Sequence, residues 1–570
     1  MNGLASVLVP LPVVLPLVAA GLTLVVTRRI ALQRAISLTA LGVVLTASIW
    51  MVFLADAQGP LVVHAGGWEP PMGIPLVVDR LSAIMLVVSV IVTGGVLLFA
   101  IGQGRSGGDE SDGDSPLPIF HPTMMVLISG VATTFISGDL FHIYVGFEML
   151  LIASFVLLTL GGSPQRVSAG TNYVFVSLLS SLFFLSAIAL VYAATGTVTL
   201  AQLAGRLDAL SPEAAVTIQV LLLIGFAVKA AVFPMSGWLP DSYPTASASV
   251  TAVFAGLLTK VGVYAIIRTQ TLLFPHGAIN NLLLWAALLT MLVGILGAIA
   301  QNDIKRLLSF TLVSHIGYLL FGVALANQAG LSGAIFYMVH HIVIQTTLFL
   351  VVGLVEWRSG TTSLDELGGL AKTAPFIAIL FFVPALNLAG IPPFSGFLGK
   401  VGIFQGGVQE GGWLSYLVIA SAVLTSLLTL YAVARVWARA FWQRPVTELV
   451  AKSVHGSAPS DTAAEGNGGR HVAAVRRGGP DGPLRNPAST RYADVATGPL
   501  ELDPERLARL QVIADRPVPR GTVLPTVLLV VVGISLTVVA GPLYGITDRA
   551  AADLLVRTPY IEAVFPGGAP

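Results

Sequence analysis

Four charged residues, Glu148, Lys229, Lys260 and Lys400, lie inside segments that are otherwise apolar enough to cross a lipid bilayer. A charged side chain at the centre of a bilayer costs roughly 2.5 to 3.5 kcal/mol even on translocon-insertion scales. Such residues persist mainly where they pair with one another, face water or carry ions. Amines and carboxylates also bind and release protons, so these four side chains indicate conduction of protons or other ions through the membrane.

Glu148 and Lys229 are candidates for a coupled pair. Glu148 falls near the middle of its apolar segment. A carboxylate that faces Lys229 would stabilise the protonated amine, and loss of that contact would let desolvation favour release of the proton. A salt bridge that only joins two helices is the alternative interpretation. The two interpretations overlap, because moving one carboxylate can make a lysine release its proton.

Lys260 and Lys400 differ in how well an interfacial position would explain them. Lys260 lies about ten residues, or ~15 Å, from either end of its segment, which is too far for its side chain to reach the interface. It has no acidic neighbour within one helical turn. Lys400 lies closer to a segment boundary, so an interfacial position remains open for it. We predict that both lysines carry protons.

Histidines are natural relays between lysines, because the unperturbed pKa of histidine lies near 6.5. His340 and His341 fall near the middle of one segment and would point about 100° apart on a helix, so at most one should face a given pore. Each could instead be an ordinary buried core histidine. His315 is a weaker candidate for a relay, and Lys305 is expected to be a surface or interfacial charge.

The composition is that of a polytopic membrane protein. Of 570 residues, 55% are hydrophobic and only 10% are charged. The 30 basic and 29 acidic residues create no large field of one sign, so a nucleic-acid partner is not indicated. The absence of cysteine excludes disulfides and cysteine-held iron–sulfur clusters. No ligand spacing suggests a metal site, and we expect no cofactor.

Apolar runs of about 20 residues predict an all-α protein with transmembrane helices. The first run precedes Arg28 and Arg29, which predicts a retained helix with its amino terminus outside. Basic residues near Lys305 and Arg435 fit the same orientation, which puts both termini outside. The fourteen runs lie near residues 4–26, 32–54, 76–101, 120–137, 140–160, 170–194, 214–235, 248–269, 278–300, 304–326, 331–355, 375–409, 411–442 and 522–543.

One short motif occurs twice. The sequence at 234–239, PMSGWL, reappears at 393–398 as PFSGFL, five predicted helices later. An odd number of crossings reverses direction, so the two copies would belong to inverted five-helix repeats. Each copy lies near a lysine and contains prolines that interrupt a helix. Broken helices with buried amines are the arrangement expected of a transport pathway.

The predicted organisation has five parts. Residues 443–521 are rich in charge, Gly and Pro and poor in aromatic residues, which predicts a disordered cytoplasmic loop. The parts are amino-terminal transmembrane helices at 1–101, a first half-channel repeat at 120–269, a second half-channel repeat at 278–442, the hydrophilic loop at 443–521, and a carboxyl-terminal transmembrane helix and tail at 522–570.

Several of these segments resemble the D subunit of Mrp-type multisubunit sodium/proton antiporters. The likeness rests on 229–234 (KAAVFP), 238–243 (WLPDSY), 257–264 (LLTKVGVY) and 390–397 (GIPPFSGF). That family is related to the proton-pumping membrane subunits of respiratory complex I. The chain departs from many relatives at 345–347, where QTT follows the histidines and a lysine is common.

The resemblance implies roles for the charged residues: a glutamate–lysine pair at Glu148 and Lys229, a connecting Lys260 and a terminal Lys400. It implies a non-enzymatic, proton-translocating subunit of a hetero-oligomeric sodium/proton antiporter in a prokaryotic plasma membrane. Its partners would be other subunits, protons, a monovalent cation and the bilayer. A proton-pumping subunit of complex I or of a membrane-bound hydrogenase is the main alternative, and a membrane scaffold that moves nothing is a weaker one.

Overall fold

The computed structural model describes residues 2–68, 72–103, 119–443 and 517–566. Residues 444–516 of the predicted hydrophilic loop lie outside the described residues. In the described part, eleven helices are long and apolar enough to span a membrane. Three further apolar helices are shorter. One of these helices falls in each of the fourteen predicted segments, which confirms the polytopic helical fold.

The amino-terminal part begins with three helices and a β-hairpin whose strands pair antiparallel. The predicted helix start at residue 76 is wrong, because Pro75–Val78 forms a strand and the next helix begins only after Asp79. The elements are α1 (Asn2–Leu8), α2 (Leu11–Val25), α3 (Ile30–Gln58), β1 (Leu61–His64), β2 (Pro75–Val78) and α4 (Arg80–Gly102).

Eight helices follow in the region predicted as the first repeat. A π-helical turn at Phe254–Leu258 joins the last two into one membrane span. The helices are α5 (Phe120–Ile136), α6 (Leu140–Thr159), α7 (Pro164–Thr195), α8 (Leu200–Arg206), α9 (Pro212–Ala230), α10 (Trp238–Ser242), α11 (Ala248–Val253) and α12 (Thr259–Leu272).

The second predicted repeat and the carboxyl terminus contain the remaining described helices. The predicted helix at 522–543 is too short, because the chain bends at Val539 and stays helical beyond it. The helices are α13 (Asn280–Ile299), α14 (Ile304–Ala324), α15 (Gln328–Ser359), α16 (Leu370–Thr373), α17 (Pro375–Ala389), α18 (Ser395–Glu410), α19 (Trp413–Val436), α20 (Arg520–Val538), α21 (Ala540–Val556) and α22 (Thr558–Val564).

Two membrane helices are broken where the repeated motif occurs. Helix α9 ends at Ala231, whose φ is 58°, and α17 ends at Gly390, whose φ is 82°. Both residues are left-handed, a conformation that ends a helix. Pro234 and Pro393 follow at the same spacing. Because proline donates no backbone hydrogen bond, each break leaves helical carbonyls free for other donors.

The two groups of helices also share a loop arrangement. In each group the start of the second helix forms a short antiparallel bridge with the chain beyond the third, at Asp139 with Thr199 and at Asp303 with Ser363. Each aspartate caps its helix by accepting a backbone hydrogen bond at 2.9 Å. These parallels agree with two related halves, and the inversion of one half relative to the other stays a prediction.

Helix α15 forms the centre of the fold. It packs against α4, α11, α14, α17, α18, α20 and α21, and its apolar span is entirely buried. The span formed by α11, the π turn and α12 is buried to the same degree. Polar groups on these helices are therefore shielded from lipid, which a side chain on a peripheral helix would not be.

Candidate functional site

Glu148 and Lys229 contact the same face of α7. The Ser181 hydroxyl donates a short hydrogen bond to Glu148 Oε1, and Lys229 Nζ donates to the Ser177 carbonyl at 3.4 Å. Ser177 and Ser181 are one helical turn apart, so they lie on one side of α7. No direct ion pair joins Glu148 to Lys229 in the described chain. The predicted pair is thus coupled across a short distance and is not a salt bridge.

A small cavity adjoins Lys229. Its volume is about 20 Å³, and its lining includes Tyr173, Ser177, Lys229 and Trp238. A space that holds a water-sized probe together with several polar partners can accommodate one water molecule. Trp238 donates from its indole to the Val228 carbonyl at 3.0 Å, so it occupies one of the carbonyls freed by the helix break. Lys229 therefore has a polar exit from its apolar surroundings.

Lys260 is fully buried in the first turn of α12, directly after the π turn. Its Nζ donates to the Ala255 carbonyl of the π turn at 2.7 Å. The side chain curls back onto nearby backbone and does not reach an interface, so the interfacial alternative is excluded. π turns are rare and frequently occur at functional sites. Here the turn supplies a carbonyl to an amine that has no carboxylate partner among the described residues.

Close packing brings the span that carries Lys260 against both neighbouring sites. A Cβ on Gly262 would lie 2.7 Å from the Ala230 backbone nitrogen, so α12 meets α9 directly beside Lys229. On the other side, a Cβ on Gly256 of the π turn would collide with Thr346 Oγ1 of α15. Such approaches leave no room for a larger side chain. Lys260 therefore lies on a span packed between the Lys229 region and the histidines of α15.

This contact predicts a stability effect for Gly262→Ala. The added methyl must displace backbone, and overpacking of this kind costs about 1 to 3 kcal/mol. We expect a lower thermal unfolding midpoint of the purified protein. The control is Gly94→Ala, because a Cβ on Gly94 in α4 meets nothing within 4 Å. Equal midpoints for both variants would contradict the close approach of α9 and α12.

Lys400 lies at the break between α17 and α18. It is 3% exposed, and its Nζ donates to the Ala389 carbonyl at 3.0 Å and to Ser426 Oγ at 3.1 Å. The rings of Tyr318 and Tyr337 lie 4.8 and 5.9 Å from the nitrogen. The carboxyl end of a helix carries partial negative charge and favours a cation. An interfacial position for Lys400 is therefore wrong.

His340 belongs to a hydrogen-bonded chain at the start of α18. Its Nδ1 lies 3.0 Å from Ser395 Oγ, and the Ser395 hydroxyl donates to Asn387 Oδ1 at 3.3 Å. Since that hydroxyl proton is already used, the network assigns the Nδ1 proton to His340. The Nε2 lone pair is then free, and Nε2 has no partner among the described residues. His340 can therefore accept a proton.

His341 points to a second cluster. Both of its ring nitrogens are buried without a hydrogen-bond partner among the described residues. Its ring centroid lies 5.1 Å from that of His315 and 6.0 Å from that of Tyr337. His315 Nδ1 lies 2.9 Å from Tyr337 OH. Tyr337 thus links both histidines to Lys400, as expected if the two adjacent histidines face different partners.

Several residues of this region were not predicted from the sequence. Tyr318, Tyr337 and Ser426 contact Lys400 although nothing in their local sequence marks them. Ser177 and Ser181 had a usable signal, because two serines spaced by one turn form a polar strip on an apolar helix. A separate residue, Lys305, lies at a helix end as predicted, but it is 7% exposed and pairs with Glu356 at 2.7 Å.

Comparisons with known proteins agree with this architecture. Residues 137–429 match the family described as NADH:quinone oxidoreductase/Mrp antiporter, transmembrane part. The D subunit of the Na(+)/H(+) antiporter of Alkalihalophilus pseudofirmus is 38% identical over 438 residues, covering 76% of this chain and 87% of that protein.

Two solved structures have the same fold. A chain of the Mrp complex from a Dietzia species matches with a TM-score of 0.80 and 32% identity, covering 98% of this chain and 99% of that one. A chain of an archaeal membrane-bound sulfane sulfur reductase matches with a TM-score of 0.79 over 99% of this chain and 100% of that one. Its 22% identity supports a shared fold alone. The chain therefore belongs to the NADH:quinone oxidoreductase/Mrp antiporter family of membrane subunits.

Proposed function

We propose that the chain is the proton-translocating subunit of a multisubunit sodium/proton antiporter in the plasma membrane. The observation that carries this proposal is the placement of three lysines. Lys229 and Lys400 lie at broken helices and Lys260 beside a π turn, and in the described part of the chain none of them forms an ion pair. Amines held only by carbonyls and hydroxyls can lose a proton without breaking a salt bridge.

The order of the helices gives the path. Protons would bind first at Lys229, where Glu148 acts electrostatically on the amine. They would pass to Lys260 on the adjoining helix and then to the histidines of α15. Tyr337 connects that cluster to Lys400, from which protons would leave on the opposite side. Water would bridge the gaps between these groups, as it does in other wet active sites.

The membrane potential can supply the work of exchange. Moving one elementary charge across the membrane releases about 2.3 kcal/mol per 100 mV. If more than one proton enters for each sodium ion that leaves, the potential drives sodium out against its gradient. Other subunits would complete the cation path, because the relatives that carry this name belong to a multisubunit complex.

Everted vesicles that contain the complete complex test this function. We expect addition of sodium to dissipate an imposed pH gradient, and we expect deletion of this subunit to abolish that response. Parallel additions of lithium and potassium identify the cation. Full exchange by a complex that lacks this chain would overturn the proposal. Copurification of flavin or iron–sulfur subunits would instead favour the redox-driven alternative.

A further inference from the structure

The helix that carries Lys260 has two more polar residues on the same face. Lys260, Tyr264 and Arg268 are spaced four residues apart, so they lie one above another along α12. Eight residues of helix correspond to ~12 Å, which places Arg268 near the end of α12 that adjoins the start of α4. By the predicted orientation this is the outer end. The direct route from Lys260 to the outside therefore leads past Tyr264 and Arg268.

An outer polar cluster, which we define as Asp79, Ser82, Tyr264 and Arg268, fills this route. Arg268 Nη1 pairs with Asp79 Oδ2 at 2.6 Å, and Arg268 Nη2 donates to Tyr264 OH at 3.0 Å. Tyr264 donates to the Phe135 carbonyl at 2.6 Å, and Ser82 Oγ donates to Asp79 Oδ1 at 2.9 Å. These bonds tie α4, α5 and α12 together, and every member of the outer polar cluster is buried.

Neither charged member of the outer polar cluster can act as a proton carrier near neutral pH. Burial raises the pKa of Asp79, but the charge of Arg268 and the hydrogen bonds from Ser82 outweigh burial and hold that pKa below its usual range. Arginine does not lose its proton in proteins. The guanidinium is therefore a permanent positive charge, and it raises the energy of any proton that moves outward from Lys260.

The carboxyl-terminal helix covers this ion pair from outside. The ring of Tyr560 in α22 lies 5.1 Å from the Arg268 guanidinium carbon, a distance typical of a cation–π contact. Arg557, at the start of α22, donates to the Ala204 carbonyl at 2.5 Å and pairs with Asp208 at 3.1 Å. The end of the chain is thus anchored over Arg268. Neither the cluster nor this cover takes part in the proton path described above.

We propose that the outer polar cluster, covered by Tyr560, is a seal that closes the outer end of the first half-channel. Protons that reach Lys260 then move sideways towards Lys400 and do not cross directly. This inference rests on the proposed function, because a seal matters only if Lys260 carries protons. Without it, protons would short-circuit the coupling to the cation.

Proton leak measured without an exchangeable cation tests the seal. The complete complex is placed in vesicles, a pH gradient is imposed, and its decay is followed with a fluorescent dye. Asp79→Asn leaves the guanidinium without its counter-charge and loosens the outer polar cluster, so we expect several-fold faster decay. Combining it with Lys260→Ala should restore slow decay, because the leak runs through Lys260. A leak that persists in the double variant reflects general damage and overturns the seal.

The Tyr560 variants give a milder, matched comparison. Tyr560 OH has no hydrogen-bond partner among the described residues, so Tyr560→Phe keeps the ring over Arg268 and should not leak. Tyr560→Ala removes the ring and should leak. If Asp79→Asn does not assemble, this pair decides alone. Lost exchange without any leak in assembled variants would make the outer polar cluster an outlet and not a seal. Retained exchange in Lys260→Ala alone would refute the proposed function, whatever the leak.

Discussion

Lys260→Ala is expected to abolish cation/proton exchange while the complex still assembles. Lys260 is the only lysine of α12, and its helix packs between the Lys229 region and α15. Removal of its amine interrupts the path at the middle. Assembly should survive, because a buried ammonium without a carboxylate partner is costly to bury and its loss removes that cost. Exchange is measured by sodium-induced pH change in everted vesicles, and assembly by copurification.

Two companions sharpen the Lys260 result. Lys260→Arg keeps the positive charge but cannot release a proton, so it should also be inactive. Lys372→Ala removes an exposed lysine outside the path and should exchange like the wild type. Full exchange by Lys260→Arg would mean that a fixed charge suffices at this position. Proton transfer through Lys260 would then have to be abandoned.

Glu148→Ala should reduce exchange to background, again in an assembled complex. The carboxylate acts electrostatically on Lys229, and without it the amine has no acidic side chain to respond to. Coupling through the serine face of α7 requires that charge and not a particular salt bridge. Glu148→Gln should therefore fail like Glu148→Ala, although it can still accept a hydrogen bond from Ser181. The vesicle assay over a range of pH measures both variants.

Conservative variants at this pair separate charge from packing. Glu148→Asp keeps the carboxylate on a shorter side chain and should retain part of the activity. Ser181→Ala removes the hydroxyl that binds Glu148 but leaves the charge, so its effect should be smaller than that of Glu148→Gln. If Glu148→Gln exchanges as well as the wild type, electrostatic control of Lys229 by Glu148 is wrong.

Much of the membrane architecture could be predicted from the chain, because lipid allows few solutions. Continuous apolar runs must become helices when no water is present to bind the backbone. The repeated Pro-containing motif marked both broken helices for the same reason. The hairpin at Leu61–His64 and Pro75–Val78 was missed because it lies beyond the membrane, where that constraint ends. The bend at Val539 was missed because helix continues on both sides of it.

The sequence by itself determined which side chains carry charge within the membrane, since Lys229, Lys260 and Lys400 stand out against apolar neighbours. Only the tertiary structure decided what each one touches. Contacts between α14, α15, α18 and α19 bring Tyr337 and Ser426 to Lys400, and those residues are far apart in the chain. The same holds for Asp79 and Arg268, whose pairing depends on how α4 meets α12. Burial cost is a property of one residue, whereas a partner is a property of the packing that surrounds it.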